Sequence, residues 1–205
     1  VHEVNDPPNA YDHIYYIDED DSLLTTVPAD DGDSLDGVHD EQTLMYLTLS
    51  EFNHGSFDLG RTDGILSYIP DPDYFGPDSM EYVLMDDGTT AGQSDPLSDT
   101  ALIVINTLPV NDDPILESLS DTSMYEDSTL SIIVSASDID SEDLSFEALS
   151  SVDEYIAVEM IDTVLYINSY FNWYGVANIT VLVNDNMGRA VDVEEFQLTV
   201  LPVND

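Results

Sequence analysis

Apolar and polar residues alternate with period two along several short stretches of the chain. Ser79-Met80-Glu81-Tyr82-Val83-Leu84-Met85 and Asn178-Ile179-Thr180-Val181-Leu182-Val183 carry the pattern. Ala101-Leu102-Ile103-Val104-Ile105, Leu130-Ser131-Ile132-Ile133-Val134 and Thr163-Val164-Leu165-Tyr166-Ile167 are equally short apolar runs. Each is bounded by Asp, Gly or Pro, and turn signals recur roughly every eight to twelve residues, the rhythm of strands joined by tight connections. No window sustains an apolar face at i, i+3, i+4 and i+7, so helices are not expected. About seven short strands per hundred residues predict an antiparallel sandwich.

The chain repeats itself. Val4-Asn5-Asp6-Pro7 recurs as Val110-Asn111-Asp112-Asp113-Pro114, and Val203-Asn204-Asp205 closes the sequence. The spacings, 106 and 93 residues, are each the size of one small domain. Between these marks the same events follow in the same order: an acidic step (Asp18-Glu19-Asp20; Glu126-Asp127), a Tyr-Phe turn (Tyr74-Phe75-Gly76; Tyr170-Phe171-Asn172), and a strand running into Asp and a Gly turn (Asp86-Asp87-Gly88; Asp185-Asn186-Met187-Gly188). The repeat predicts two related domains, 1–109 and 110–205, with a linker around 109–114. Each domain is expected to have its termini at opposite ends, so that tandem copies extend as a rod, and the chain reads as an excerpt of a longer protein.

Charge changes the picture next. Two basic residues against 44 acidic ones give a net charge of −42. Such a surface repels nucleic acid and anionic membranes, and no apolar run is long enough for direct membrane insertion. Disorder is not the consequence, because 42% of residues are hydrophobic and a core can form. The absence of Cys removes disulfides, thiolate metal sites and thiol nucleophiles, and the absence of Lys removes lysine crosslinks.

The acids concentrate at strand ends and at the junction of the repeats. Asn111 and Asp112 lie in the linker, Asp138-Ile139-Asp140 follows, and Asp185 ends a long strand. In an extended chain a D-x-D pair places both carboxylates on one face. Calcium takes six to eight hard oxygen ligands, and Asp, Asn and backbone carbonyls supply them. Without a cation these converging acids would repel one another.

The junction Pro109-Val110-Asn111-Asp112-Asp113-Pro114, the Asp138-Ile139-Asp140 pair and Asp185 before Gly188 resemble the motifs of cadherin repeats. With Asp63-Gly64-Ile65-Leu66 through Asp86-Asp87-Gly88, both units resemble bacterial cadherin-like, immunoglobulin-like tandem repeats of large calcium-binding surface adhesins. The resemblance implies an all-β fold of two tandem antiparallel β-sandwich domains with Greek-key order, arranged end to end and stiffened by Ca2+ at each linker. Carried over by position, the implied metal ligands are Glu19, Asn111, Asp112, Asp138, Asp140 and Asp185, with Asp71 or Asp73 as a looser addition. Glu126 with Asn204 and Asp205 would form half of a further site, and Asn5, Asp6 and Asp86 the opposite half. In the first domain the D-x-D is replaced by a longer acidic stretch, Asp30-Asp31-Gly32-Asp33 through Asp40.

The function so implied is non-catalytic: a rigid spacer or homophilic assembly unit of an extracellular, cell-surface adhesin or filament, whose partners are calcium ions, other repeats of the same protein or like filament subunits, and cell-surface glycans. The rival is a carbohydrate-binding accessory module of a secreted polysaccharide-acting protein, using Trp173 and Tyr174 beside Tyr170 and Phe171; the ordinary expectation for these aromatics is packing against the end of the sandwich. His2, His13, His39 and His54 lack zinc-like spacing, and the sequon at Asn178 falls within an expected strand. Most other acids are expected to be solvated surface.

Overall fold

The computed structural model describes residues 4–32, 42–188 and 191–204. The chain divides into two units, Val1–Val110 and Asn111–Asp205. Among the described residues there is no helix, and none long and apolar enough to cross a membrane.

Unit 1 holds β1 (Asn9–Ala10), β2 (His13–Asp18), β3 (Leu23–Thr26), β4 (Ala29–Asp30), β5 (Met45–Thr48), β6 (Gly55–Leu59), β7 (Ile65–Pro70), β8 (Gly76–Met85), β9 (Thr89–Thr90), β10 (Gln93–Ser94) and β11 (Ser98–Leu108). Its two main sheets run β2-β11-β8-β5 and β3-β7-β6. Period-two alternation decides what faces inward. Met80, Tyr82 and Leu84 of β8 and Ile103 and Ile105 of β11 meet Leu66 and Tyr68 of β7 in one core, all of them fully buried.

Unit 2 repeats the plan with β12 (Ile115–Leu116), β13 (Thr122–Tyr125), β14 (Thr129–Ile133), β15 (Ala136–Ser137), β16 (Ser145–Ser150), β17 (Ile156–Ile161), β18 (Val164–Ser169), β19 (Gly175–Asn184) and β20 (Val191–Leu201). Its sheets run β13-β20-β19-β16 and β14-β18-β17. The core is built from Ile179, Val181 and Val183 of β19, Phe196, Leu198 and Val200 of β20, and Leu165 and Ile167 of β18.

One expectation needs correction. The sandwiches are not wholly antiparallel: β2 runs parallel to β11, and β13 runs parallel to β20. In each unit the first strand pairs briefly with a partner from the other side (β1 with β4, β12 with β15) before the chain crosses over. The crossing chain then runs toward the same end as the last strand, which makes the new pairing parallel. In unit 1 buried Tyr82 clamps the crossover: its hydroxyl donates to the Tyr11 carbonyl at 3.0 Å and accepts from the Tyr11 N–H at 3.2 Å.

Candidate metal centre

The parity that buries Leu84 and Val183 also buries the residues two positions on, Asp86 and Asp185, each 0% exposed. Continuing a core-facing row past the end of its strand places a carboxylate inside, where it must be satisfied. In unit 2 the Asn111 amide donates to Asp185 Oδ2 at 2.5 Å and the Met187 N–H to Oδ1 at 3.0 Å. These donors, Asn111 first and Met187 next, hold the Asp185 carboxyl below the ordinary carboxylate range.

Around Asp185 unit 2 gathers its other acids. The Asp112 N–H donates to Asp140 Oδ2 at 2.7 Å, and the Asp140 and Ser141 N–H groups donate to Asp138 Oδ1 at 2.8 and 2.9 Å. The Ser141 hydroxyl reaches the Asp185 carbonyl at 3.4 Å. Asp138 and Asp140 are half-buried, and Asp138 Oδ2 is buried without a hydrogen-bond donor. Five of the expected ligands, Asn111, Asp112, Asp138, Asp140 and Asp185, thus belong to one hydrogen-bonded end of unit 2. The donor set is all oxygen, and one of its carboxylate oxygens is without a donor, which suits a hard cation.

The sixth expected ligand, Glu19, belongs to unit 1. It is 5% exposed; its N–H bonds the Leu108 carbonyl, and its Oε1 accepts the Val110 N–H at 2.6 Å. Glu126 in unit 2 is built alike, with its N–H on the Leu201 carbonyl and Oε1 accepting the Val203 N–H at 2.7 Å. Each glutamate carboxylate fastens the segment just past the last strand of its unit. Asp71 and Asp73 sit exposed in the turn before β8, at the same end of unit 1 as Glu19, since Gly76 pairs with Thr107 and Asp18 with Leu108.

At the opposite end of unit 1, Asn5 donates to Asp86 Oδ1 at 3.2 Å and to the Asp95 carbonyl at 2.8 Å, while its own Oδ1 accepts from Gln42 Nε2 at 2.9 Å. Asp86 Oδ2 is buried without a donor. Strand pairing sets Asp31 at the position of Asp138, because Ala10 pairs with Ala29 where Leu116 pairs with Ala136. Asp33, Asp36, Asp40, His2, His39 and Asp205 lie outside the described residues.

The structure also shifts one repeat landmark by three residues. The Asp71 N–H bonds the His54 carbonyl and the Tyr74 N–H the Asp71 carbonyl; in unit 2 Tyr170 bonds Tyr155 and Trp173 bonds Tyr170. Asp73 and Asn172 both take the left-handed conformation. The equivalent of Tyr74-Phe75-Gly76 is therefore Trp173-Tyr174-Gly175, not Tyr170-Phe171-Asn172. Each unit stacks a ring pair there: His54 on Tyr74 at 4.1 Å and 5°, Tyr155 on Trp173 at 5.6 Å and 7°. Sequence spacing missed His54 and Tyr155 because they precede a strand distant in the chain. Trp173 itself is half-buried against the core, as ordinary packing predicts. Asn178 lies within β19 and donates to Glu195 Oε1 at 3.1 Å.

Comparison with known proteins agrees with this architecture. Residues 5–96 match the family model described as a bacterial Ig domain. Protocadherin gammaB7 EC3-6 is similar in structure, with a TM-score of 0.57 and 21% identity over 98% of this chain and 49% of that one. Human protocadherin-24 EC1-2 has a TM-score of 0.56 and 12% identity, covering 96% of this chain and 100% of the other. The chain spans about half the length of the first solved structures it resembles. No curated protein matches it.

Proposed function

We propose that this pair of bacterial Ig-like, cadherin-like repeats is a calcium-stiffened, non-catalytic segment of an extracellular adhesin or surface filament, acting as a rigid spacer or assembly unit. The observation that carries the reading is the end of unit 2, where Asp112, Asp138, Asp140 and Asp185 are brought together and Asp138 Oδ2 is left buried without a donor. Its residues orient the oxygens in advance: backbone N–H groups fix Asp138 and Asp140, and Asn111 fixes Asp185. A bound Ca2+ would supply the positive charge that lets these carboxylates stay together. Glu19 is the contribution proposed from unit 1, since its carboxylate already holds the residue immediately before Asn111. Sharing an ion between units would couple metal binding to the order of the linker.

Calorimetric titration of calcium into EDTA-stripped protein, with thermal melts in parallel, tests the reading. Saturable binding and a raised Tm are expected, both lost in the Asp138→Asn, Asp140→Asn double variant. Identical melts and protease sensitivity with calcium and with EDTA would refute it.

A further inference from the structure

The turn before β19 presents more aromatic surface than its fold requires. Its sister turn in unit 1 reaches the same backbone hydrogen bonds and left-handed residue with Asp71 and Pro72 where unit 2 has Tyr170 and Phe171. The two added aromatics are therefore not demanded by the turn, and Phe171 is 81% exposed. Beside them Tyr174 is exposed, and Tyr155, 44% exposed, lies nearly parallel on Trp173, whose indole is anchored on the core. The stacked pair is ordered before any ligand arrives, so binding would cost little side-chain freedom.

The charge around the turn restricts the occupant. Asp127 accepts the Asn172 N–H at 3.1 Å, and Asp153 and Glu154 directly precede Tyr155. The only basic residues of the chain, Arg61 and Arg189, are far from this turn in sequence. Anionic polysaccharides, phosphate groups and nucleic acids would be repelled. A neutral pyranose offers what the site can use: a flat C–H face for exposed rings and hydroxyl donors for flanking carboxylates and the Asn172 amide.

We propose that this turn of unit 2 is a stacking platform for a neutral pyranose polysaccharide, with Tyr155 and Phe171 as the sugar-contacting rings and Trp173 as the anchor beneath. The reading is independent of calcium at the other end of the unit. Trp173 is the only tryptophan of the chain, so its fluorescence reports the site directly. Cellohexaose, mannohexaose, xylohexaose and chitohexaose are titrated into calcium-loaded and EDTA-treated protein, with saturation-transfer NMR on the sugar. At least one should give a saturable response that Phe171→Ala and Tyr155→Ala weaken about tenfold or more, with Phe75→Ala in unit 1 as the unaffected control. Should Tyr155→Ala disturb folding, Phe171→Ala decides alone, because so exposed a side chain contributes little to the core. No saturable response to any of the four sugars overturns the proposal, as does equal affinity in Phe171→Ala. Self-association abolished by Phe171→Ala without sugar binding would overturn it in favour of a second copy.

Discussion

Asp78 is a buried carboxylate of unit 1 that accepts four hydrogen bonds. It lies on the core-facing row of β8, 3% exposed, two positions before Met80. Its Oδ1 accepts the N–H groups of Asn53 and Ser79 at 3.0 and 2.8 Å; its Oδ2 accepts the His54 N–H at 2.7 Å and the Tyr68 hydroxyl at 3.2 Å. Asp78→Ala strips the three backbone N–H donors of their acceptor, while the Tyr68 hydroxyl keeps the His54 carbonyl at 3.0 Å. Each buried donor left unpaired costs about 1–3 kcal/mol. Water entering the turn relieves part of that, so the expected loss is about 3–5 kcal/mol, in the range reserved for broken buried networks. For a domain of this size that is a fall in Tm of at least about 12 °C. Asp78→Asn keeps one carbonyl oxygen, and Tyr68 retains the His54 carbonyl at 3.0 Å as an alternative acceptor, so about 2 kcal/mol is expected. Tyr68→Phe, which removes one donor and orphans none, should cost about 1 kcal/mol.

Unit 1 contains no tryptophan, so excitation of Trp173 follows unit 2 while circular dichroism follows both. In urea titrations the Asp78 variants should move the phase seen by dichroism and leave the Trp173 transition in place. A loss below about 1 kcal/mol for Asp78→Ala, or an equal shift of the Trp173 transition, would refute the argument.

Three further outcomes follow from the same packing. Burial raises the pKa of Tyr46, Tyr68, Tyr74 and Tyr82, with the carboxylates of Asp63 and Asp78 adding to the effect on Tyr46 and Tyr68 respectively. A raised phenol favours the fold only while neutral, so this stability is complete below about pH 10 and is lost as pH climbs past it; dichroism and absorbance at 295 nm should show unit 1 unfolding as its tyrosines ionise. Gly64 has φ +63°, and a Cβ there would lie 2.6 Å from the Tyr46 ring, so Gly64→Ala should destabilise unit 1 by about 2–4 kcal/mol in urea melts. Leu165 is fully buried in unit 2, and Leu165→Ala should cost about 2–5 kcal/mol, read by Trp173 fluorescence.

Much of the fold was legible because period-two alternation acts locally. The row Met80, Tyr82, Leu84 could be assigned to one face from spacing alone, and it is one face of the core. The all-β class followed from the same alternation, and the division into two similar units from the recurring Val-Asn-Asp marks. The parallel pairing of β2 with β11 was not legible, since no residue between His13 and Asp18 distinguishes a parallel neighbour from an antiparallel one. That distinction is set by where the chain crosses, a property of the backbone around Tyr11 and of the Tyr82 hydroxyl that clamps it from 71 residues away.

The candidate site divides along the same line. Asp138, Asp140 and Asp185 could be named as candidates because the D-x-D spacing and the strand-end Asp are local signals, and they share one hydrogen-bonded end of unit 2. The network at Asp78 was missed because nothing in Pro77-Asp78-Ser79 distinguishes a buried carboxylate from the solvated ones around it; at the equivalent position unit 2 has Ala177, with Ile167 in place of Tyr68. The two solutions show what the position requires. A core-facing site beside a turn can be filled by methyl groups, or by a carboxylate whose four donors come from that turn and from the facing sheet. The second is acceptable only as a complete set, because a half-satisfied buried charge is worse than an apolar side chain. The slip of the Tyr-Phe landmark has the same origin: Tyr170-Phe171 imitates Tyr74-Phe75 in letters, but the backbone hydrogen bonds of the turn put Trp173 at the position of Tyr74, stacked on Tyr155 as Tyr74 stacks on His54. Where a contact partner lies across the sheet, the letters of one strand do not identify it.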